Sequence, residues 1–417
     1  MPNTADVRRT VKRQLRRATV WSMARRGDLI GQLMLHERLD DPYPLYEQMR
    51  AHGPVYRSRM GLHAVTSHEL CTRVLRDPAF ARRNEEPQRV TPPGEQGPSA
   101  DSNFLQEELS DHMRWRRLVA PAFRPRKISD YRRRTEEVAH RLLDAALAKD
   151  EFDLVTDFAS PLPITVISEL LGLTDVDVEL FAHYGLITGK AIDGIRSTRQ
   201  ANEFRTAVRE LDELFAGLVR KRRAEPGDDL VSELLKPQGD QALPEREIVG
   251  TCQLLLTAGF ETTTNLVSNT VLRLQEDLVQ WEKLVADPAL ASAAAEESLR
   301  YDPPVQYSIR VAREEFEADG RKLPSDTVLM LVLGGANRDP DVFTDPHRFD
   351  ITRSDATSHL AFLSGAHYCV GAPLARMEAD VALKVLVERA PGLRVTGRPV
   401  RRPTAALRGL LHLPATA

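Results

Sequence analysis

Near its carboxyl end the chain reads FLSGAHYCVGAPLAR over residues 362–376. A loop containing Gly365 leads into Cys369, and a helical pattern with Pro373 in its first turn follows. A thiol just before a helix N-terminus lies at the positive end of the helix dipole, which predicts a lowered pKa and a stabilised thiolate. Such a thiolate can be a nucleophile, a zinc ligand or a haem ligand, and a buried structural cysteine is the remaining interpretation. No CxxC or HxxxH pattern lies nearby to complete a zinc site, and only His367 is close enough along the chain to be a general base.

The composition limits the classes of protein that fit. The 417 residues include 57 basic and 60 acidic side chains, a net charge of −3, which argues against nucleic acid as a partner. Cys71, Cys252 and Cys369 are odd in number and far apart, so we expect no disulfide framework. The basic N-terminus is not followed by an apolar signal region, and no run reaches the roughly 18 apolar residues of a membrane span. These features predict a cytoplasmic protein without an integral membrane anchor.

The first 26 residues differ from the rest in charge. Basic side chains surround an apolar stripe at helical spacing that comprises Val7, Val11, Leu15 and Ala18. The pattern predicts a basic amphipathic helix, either solvated or touching an anionic membrane surface or a partner. We see no internal repeat and no linker, so residues 27–417 are expected to form a single domain.

Most of the chain has helical periodicity, with a few extended runs. Residues 54–67 predict a hairpin that turns near Gly61, Asp319-Gly320 predicts a second one, and residues 327–333 predict a buried strand. A polar stretch over 84–103 is typical of a lid or a disordered segment. Long apolar faces predict helices over 118–123, 131–147, 163–171, 201–222 and 245–274.

Three further patterns are weak singly. The centre of the 245–274 helix reads AGFETT over 258–263, where a glycine and consecutive threonines weaken the helix and can open a turn. The alternative is a glycine for close helix packing and threonine hydroxyls bonded back to the backbone. Glu297 and Arg300 share a helix face, as in many solvated ion pairs. His112 and Arg116, with Arg310 further on, are cationic side chains that suit surface roles or buried carboxylates.

Taken in order, these segments resemble those of the cytochromes P-450, the haem-thiolate monooxygenases. The cysteine loop matches the family pattern at Phe362, Gly365, His367, Cys369 and Gly371. It departs at Leu363, where the family usually has glycine or serine, so local loop packing is where a difference is expected. The AGFETT, ExxR and HxxxR segments match the other motifs, and the resemblance runs from about residue 27 to the end.

The resemblance implies a mainly α fold with small β-sheets, a helix-rich single domain around a buried haem. It implies that Cys369 is the proximal iron ligand and that His112, Arg116, Arg310 and His367 contact the haem propionates. By the same resemblance, Thr262 stabilises the iron-bound peroxo group and Glu261 relays protons from solvent. The Glu297–Arg300 pair, joined by Arg348, would hold the cysteine loop.

The implied activity is hydroxylation or epoxidation by a monooxygenase. It needs haem b and O2, with electrons that come ultimately from NAD(P)H through a separate ferredoxin and ferredoxin reductase. The protein is expected to be a monomer. Basic residues near the proximal motifs predict a docking surface for an acidic ferredoxin; these residues are Arg114, Arg117, Arg124, Arg126, Lys127 and Arg376.

The substrate class follows from residues expected to face the distal pocket, which are mostly apolar: Leu255, Ala258, Gly259, Val305 and Tyr307. They predict a medium-to-large hydrophobic molecule, with polyketide- or macrolide-like natural-product tailoring first and steroid, terpenoid or fatty-acid hydroxylation as the alternative. A peroxide-driven peroxygenase and a non-catalytic haem sensor stay open. The presence of both Glu261 and Thr262 argues against the first, and the lack of a recognisable output domain argues against the second.

Overall fold

The computed structural model describes residues 18–35, 40–81, 109–174, 176–195, 197–236, 243–318 and 320–417. The predicted lid over 84–103, most of the basic N-terminal helix and Asp319 lie outside the described residues.

Helices dominate the described chain, as the periodicity predicts. Their bounds are α1 Leu29–Leu33, α2 Tyr43–Arg50, α3 His68–Arg76, α4 Leu109–Val119, α5 Pro125–Leu147, α6 Pro161–Leu171, α7 Val178–Ile192, α8 Thr198–Ala224, α9 Leu230–Leu234, α10 Glu245–Glu276, α11 Leu278–Ala286, α12 Ala291–Tyr301, α13 Leu333–Ala336 and α14 Ala372–Arg389.

The strands are short. Their bounds are β1 Val55–Arg57, β2 Leu62–Val65, β3 Phe80–Ala81, β4 Phe152–Asp153, β5 Ser308–Ala312, β6 Phe316–Ala318, β7 Arg321–Leu323, β8 Val328–Leu331, β9 Arg394–Val395, β10 Val400–Arg401, β11 Leu410–His412 and β12 Pro414–Thr416.

Within the described residues, four small sheets accompany the helices. The largest has the order β1-β2-β8-β5-β3, in which only the β2–β8 pair is parallel. The others are β4-β12-β9, β6-β7 and β10-β11, all antiparallel. Both predicted hairpins are therefore confirmed, with Gly61 at φ +82° in the first turn.

Local chemistry explains where several helices begin and end. Ser67, Asp177, Ser197 and Asp229 each accept a backbone N–H of the first turn of the helix that follows. The predicted helix over 118–123 was wrong in part, because α4 ends at Val119 and a 3-10 turn follows. Pro121 lacks the N–H that would continue the α-helical bonding.

The main hydrophobic core lies among the long helices. It joins α5, α6, α10, α12 and α14, whose inward faces are fully buried. Two smaller clusters cover the five-stranded sheet. Helix α10 runs through the main core and packs against α14, the helix that begins just after Cys369. This packing brings two distant motifs of the sequence close together.

Candidate active site

The loop that carries Cys369 is closed by its own backbone. The Cys369 N–H donates to the Phe362 carbonyl at 2.9 Å, and the Tyr368 N–H donates to the Gly365 carbonyl at 3.1 Å. Helix α14 then begins at Ala372, with Pro373 in its first turn, as predicted. Gly365 has φ +70°, and a Cβ there would lie 2.6 Å from the Leu75 carbonyl oxygen. Only glycine fits this position without displacing backbone.

Leu363 has a left-handed backbone conformation, which is easier for the glycine that the family pattern usually has at this position. Its φ is +62°, in the left-handed region, and its N–H donates to the Leu360 carbonyl at 2.8 Å. A residue with a Cβ costs roughly 1–2 kcal/mol in this region. The partly buried side chain packs against the cluster beside the five-stranded sheet, which offsets part of that cost.

The pKa of the Cys369 thiol is raised, not lowered, so the dipole argument was wrong about the net direction. The protein around the sulfur excludes water, and this desolvation is the largest contribution. The backbone N–H groups of Gly371 and Ala372 and the charges of Arg116 and Arg376 lower the pKa, as expected at a helix N-terminus, but do not outweigh it. A thiolate here therefore needs a further positive charge.

The middle of α10 has an uncovered face. The helix is buried along most of its length, yet Ala258 is exposed and Gly259 and Thr262 are partly exposed. Thr262 Oγ1 donates to the Ala258 carbonyl at 2.8 Å, and Thr263 Oγ1 donates to the Gly259 carbonyl at 2.9 Å. The helix is continuous from Glu245 to Glu276, so the opened turn favoured by the sequence is not present. The hydroxyls bond back to carbonyls without breaking the helix.

Glu261 is buried, with 3% of its surface exposed, and its only ion-pair partner among the described residues is Arg402. Arg402 Nη1 lies 2.6 Å from Glu261 Oε1, and Arg402 Nε donates to Asn265 Oδ1 at 3.0 Å. Burial raises the pKa of Glu261 to about 7, and Arg402 opposes that rise. Helix α7 comes close because Gly189 has no side chain: a Cβ there would lie 2.6 Å from Glu261 Oε1. The carboxyl is thus poised to exchange a proton near neutral pH.

Replacing Arg402 with glutamine is expected to raise the pKa of Glu261 further, because the opposing charge is lost. If Glu261 handles a proton during turnover, the inflection near pH 7 in coupled product formation will move to higher pH. The pKa of Glu261 in the folded protein, about 7, lies above its ordinary value of 4.5. Its contribution to the free energy of unfolding is therefore fully present below pH 4.5 and is lost as the pH rises through 7. Arg394→Gln, which removes an exposed charge elsewhere, should leave the profile unchanged; identical profiles in all three proteins would refute the role of Arg402.

Three of the predicted cationic residues gather beside the cysteine loop. His112 is fully buried, and its Nε2 lies 3.2 Å from the Ala366 carbonyl oxygen. Its ring centre is 4.3 Å from that of His367. Arg116, one turn further along α4, is close enough to lower the pKa of Cys369. The structure therefore brings His112, Arg116, His367 and Cys369 together.

Arg310 approaches from a different element. It lies on β5, is 1% exposed, and donates from Nη1 to Ser308 Oγ and to the Ile309 carbonyl, both at 2.8 Å. A buried guanidinium is held away from bulk water and suits an acidic ligand group. Its grouping with His112 and Arg116 around one ligand stays a prediction.

The predicted Glu297–Arg300 pair is fully buried and doubly hydrogen-bonded, at 2.7 and 2.8 Å. Its predicted third member, Arg348, was wrong: that side chain is 62% exposed and lies 3.5 Å from Asp350. Arg353 takes the place instead, with its Nε 3.4 Å from Glu297 Oε1. Arg348 contributes only its carbonyl, which accepts from Arg300 at 3.0 Å.

Sequence reasoning missed Arg353 and Arg402. Arg353 lies only five positions beyond the arginine that was chosen, and nothing local to the chain distinguishes the two. Arg402 belongs to a pair of arginines before the LRGL segment of residues 407–410, whose proximity to α10 is a tertiary fact. A buried acid such as Glu261 requires a cation somewhere, which is the one signal that predicts a missing partner.

Comparison with known proteins agrees with this geometry. The family model described as Cytochrome P450 matches residues 190–390. The biotin biosynthesis cytochrome P450 of Bacillus subtilis is 36% identical over 384 residues, covering 91% of this chain and 97% of that protein. The chain belongs to the cytochrome P450 family. It is therefore an oxidoreductase that incorporates oxygen, in a family that uses haem.

Further P450 relatives extend the comparison. The P450 monooxygenase PikC of Streptomyces venezuelae is 37% identical, with 90% of each chain covered. A crystal structure of P450BioI, solved with an acyl carrier protein that bears hexadec-9Z-enoic acid, has a TM-score of 0.86 at 36% identity and covers 91% of this chain and 99% of that one. The mainly α fold with small sheets is thereby confirmed.

The side chains of this P450 fit a haem. One soft sulfur donor, Cys369, is the type of ligand that haem-thiolate proteins use. The described residues contain no group of three or more His, Cys, Asp or Glu side chains that could hold a metal ion by themselves. Cationic and imidazole groups beside the sulfur match the two carboxylates of protoporphyrin. An iron centre would supply the positive charge that the raised thiol pKa demands.

Proposed function

We propose that this P450 hydroxylates or epoxidises a medium-to-large hydrophobic molecule in natural-product tailoring, with haem b and O2. Residues 27–417 would form one catalytic unit. The uncovered face of α10 carries the proposal: Ala258 and Gly259 offer an apolar surface, and Thr262 lies beside them with Glu261 behind. Bound haem supplies oxygen activation. The chain's own residues position the substrate and govern protons.

In this proposal Cys369 binds the iron, and His112, Arg116, Arg310 and His367 bind the propionates. The cluster of His112, Arg116 and His367 around the cysteine loop supports the assignment. Arg310, buried on β5, would bind a propionate from the side of the sheet. Substituting any of the four by an apolar residue would leave a buried carboxylate without its cation.

The distal wall is built from residues that the sequence predicts to face the substrate. Leu255 is buried, Val305 and Tyr307 are partly buried, and the Tyr307 hydroxyl donates to Asp193 Oδ1 at 3.2 Å. Asp193 also accepts the N–H of Ala405 at 2.6 Å and that of Ala406 at 2.9 Å. These bonds hold the end of α7 against the segment between β10 and β11. A largely apolar wall with one tethered loop supports a hydrophobic substrate.

Two substrate classes find support among the relatives' names. PksS of Bacillus subtilis, 33% identical, is described as a polyketide biosynthesis cytochrome P450, which favours polyketide-like substrates. The acyl-carrier-protein complex of P450BioI favours a fatty-acyl substrate as the second candidate. The substrate-induced spin shift of the Soret band tests both, with macrolides, fatty acids, acyl carrier protein conjugates and steroids as one panel. A shift with fatty acyl compounds alone would overturn the tailoring proposal.

Removing the Thr262 hydroxyl tests the proton assignment. Thr262→Ala is expected to bind haem and substrate normally but to divert most reducing equivalents to hydrogen peroxide, because the hydroxyl nearest the uncovered face is lost. NADH consumption, peroxide and product are measured together with a surrogate ferredoxin pair. Thr270→Val is the control, since its hydroxyl also bonds back four residues but is buried. Wild-type coupling in Thr262→Ala would contradict the assignment.

The same assay separates the alternative activities. A peroxygenase would form product from peroxide without the ferredoxin pair, and a non-catalytic sensor would form none. We propose that electrons come from NAD(P)H through a separate ferredoxin and its reductase. Product formation that depends on both partner proteins supports this.

The proposed ferredoxin dock is a set of exposed cations on α4, α5 and the turn between them, comprising Arg114, Arg117, Arg124, Arg126 and Lys127. Arg376 fits this dock poorly, because its Nε lies 2.6 Å from Glu296 and its Nη1 donates to the Tyr368 hydroxyl. Its charge is therefore largely committed within the protein.

Steering by this surface predicts a salt dependence. The double variant Arg124→Glu and Arg126→Glu is expected to slow reduction by a ferredoxin about tenfold at low ionic strength and much less at high salt. Stopped-flow reduction measures both. Arg209→Glu, an exposed charge on α8, serves as the control. If all the charge reversals slow reduction equally, or if none of them slows it, this surface is not the ferredoxin docking site.

A further inference from the structure

A cavity lies away from the uncovered face of α10. It has a volume of about 430 Å³ and is lined from α2, the ends of α10 and α12, and strand β10 with the residues beyond it. Arg273 lies in its wall, eleven positions after Thr262, which corresponds to about 16 Å along a helix. The cavity is thus separate from the proposed oxidation site. A ligand bound there would not depend on the proposed monooxygenase substrate.

Four arginines line this cavity, and three of them have ion-pair or aromatic partners within the protein. Arg273 pairs with Asp302 at 2.7 Å and with Glu276 at 2.6 Å. Arg408 pairs with Asp302 at 2.5 Å. Arg338 donates to the Tyr301 carbonyl and lies between two aromatic rings, 3.4 Å from the centre of Tyr43 and 3.8 Å from that of Tyr301.

The fourth, Arg401, differs. Its Nη1 is buried and has no hydrogen-bond partner, and no ion pair to it occurs among the described residues. Its pKa is lowered, first by burial and then by the charges of Arg408 and Arg273, while Asp302 and Glu276 compensate only partly. The two neighbouring arginines have different surroundings: Arg402, just after β10, reaches Glu261, whereas Arg401, the last residue of β10, lines the cavity.

The acids that line the cavity are already engaged. Glu47 pairs with Arg50 at 3.2 Å, and Glu276 with Arg273. Asp41 Oδ1 accepts the Tyr43 N–H at 3.2 Å, and Asp40 lies 3.8 Å from Arg398. An acidic outer wall disfavours a long polyanion, whereas one small anion can reach the guanidinium. Arg401 is partly buried and has no ion-pair partner among the described residues, so its charge is only partly compensated. An anion from solution would complete that compensation.

We propose that this cavity binds a small oxyanion, a phosphate or carboxylate group, through Arg401. Its forked N–H donors suit the paired oxygens of either group. Arg408 and Arg273 add positive potential behind it, since both lower the pKa of Arg401. The ligand is a free ion or the acidic group of a small metabolite.

Thermal unfolding of the haem-loaded protein tests the site. At constant ionic strength, replacing chloride by phosphate or acetate should raise the melting temperature in a saturable way, because a ligand that binds only the folded state stabilises it. Response to phosphate alone identifies a phosphate-group ligand, and response to both identifies a general oxyanion site. Arg401→Gln should weaken the binding at least about tenfold, as expected when a charge-assisted hydrogen bond is lost. Arg394→Gln, an exposed arginine outside the cavity, should bind like wild type.

A second measurement keeps the proposal open to refutation. In chloride, Arg401→Gln should be at least as stable as wild type, because a charge that is only partly compensated has been removed. Should that variant fail to fold, Arg401→Lys retains the charge and is expected to keep a weaker phosphate response. Equal melting temperatures in all salts, an undiminished response in Arg401→Gln, or a large loss of stability in chloride would each overturn the site.

Discussion

Replacing Cys369 with histidine is expected to abolish the thiolate-type absorption of the reduced carbon monoxide complex and to reduce product formation to background. The sulfur is the only soft donor in the loop that precedes α14. It accepts the N–H groups of Gly371 and Ala372 at the start of that helix, and the charge of Arg116 acts on it. Histidine can hold haem iron but does not provide the electron density of a thiolate. The spectrum therefore reports the ligand directly, whatever the substrate is.

Cys252→Ala is the matched control. Cys252 is fully buried in α10, where burial raises its thiol pKa to about 12, so it is expected to be an inert packing residue. This variant should keep the thiolate-type spectrum with a modest loss of stability. A thiolate-type spectrum in Cys369→His would show that Cys369 is not the ligand.

Breaking the buried Glu297–Arg300 pair is expected to have the largest effect on stability. Glu297→Gln leaves Arg300 buried with no carboxylate, and such a loss costs about 3–5 kcal/mol. Arg300 also donates to the carbonyls of Asn337, Pro346 and Arg348, so its displacement would loosen the segment before the cysteine loop. Denaturant unfolding measures the loss, and haem retention shows whether the loop is affected.

Two arginine variants distinguish the third member of the pair. Arg353→Gln should lower the free energy of unfolding, because its 8%-exposed side chain contacts Glu297 and donates hydrogen bonds to Thr344, Asp345, Arg348 and Asp355. Arg348→Gln should change it by little, since that side chain is largely exposed. The reverse order of effects would contradict the structure.

Local sequence accounts for much of the fold. The ends of α6 and α10 fall within about two residues of the predicted ends, because apolar periodicity and Pro161 in the first turn of α6 act within one or two turns. Helix α5 ends where predicted but begins earlier, at Pro125. The β1–β2 hairpin was predictable for the same reason, from a glycine that can adopt φ +82°. Where the prediction failed, at residues 118–123, a single proline redirected the hydrogen bonding.

The site was predictable only in part. The start of α14 and the Glu297–Arg300 pair follow from neighbours in the chain, since a proline in the first turn and i,i+3 spacing are local. Neighbours alone left several roles open for Cys369, and its role as iron ligand came from the resemblance. Glu261 and Thr262 were found by resemblance, and the structure adds that one is buried and the other borders an uncovered helix face. Their roles stay proposals that the variants above address.

The sequence by itself determined where a sulfur ligand can stand at a helix start and which helix carries the acid and the hydroxyl. Only the tertiary structure decided that the Cys369 pKa rises, that Arg353 replaces Arg348, and that Arg402 opposes the protonation of Glu261. The physical reason is that charge states depend on water exclusion and on partners from distant segments. Local spacing specifies neither, whereas packing of the chain specifies both.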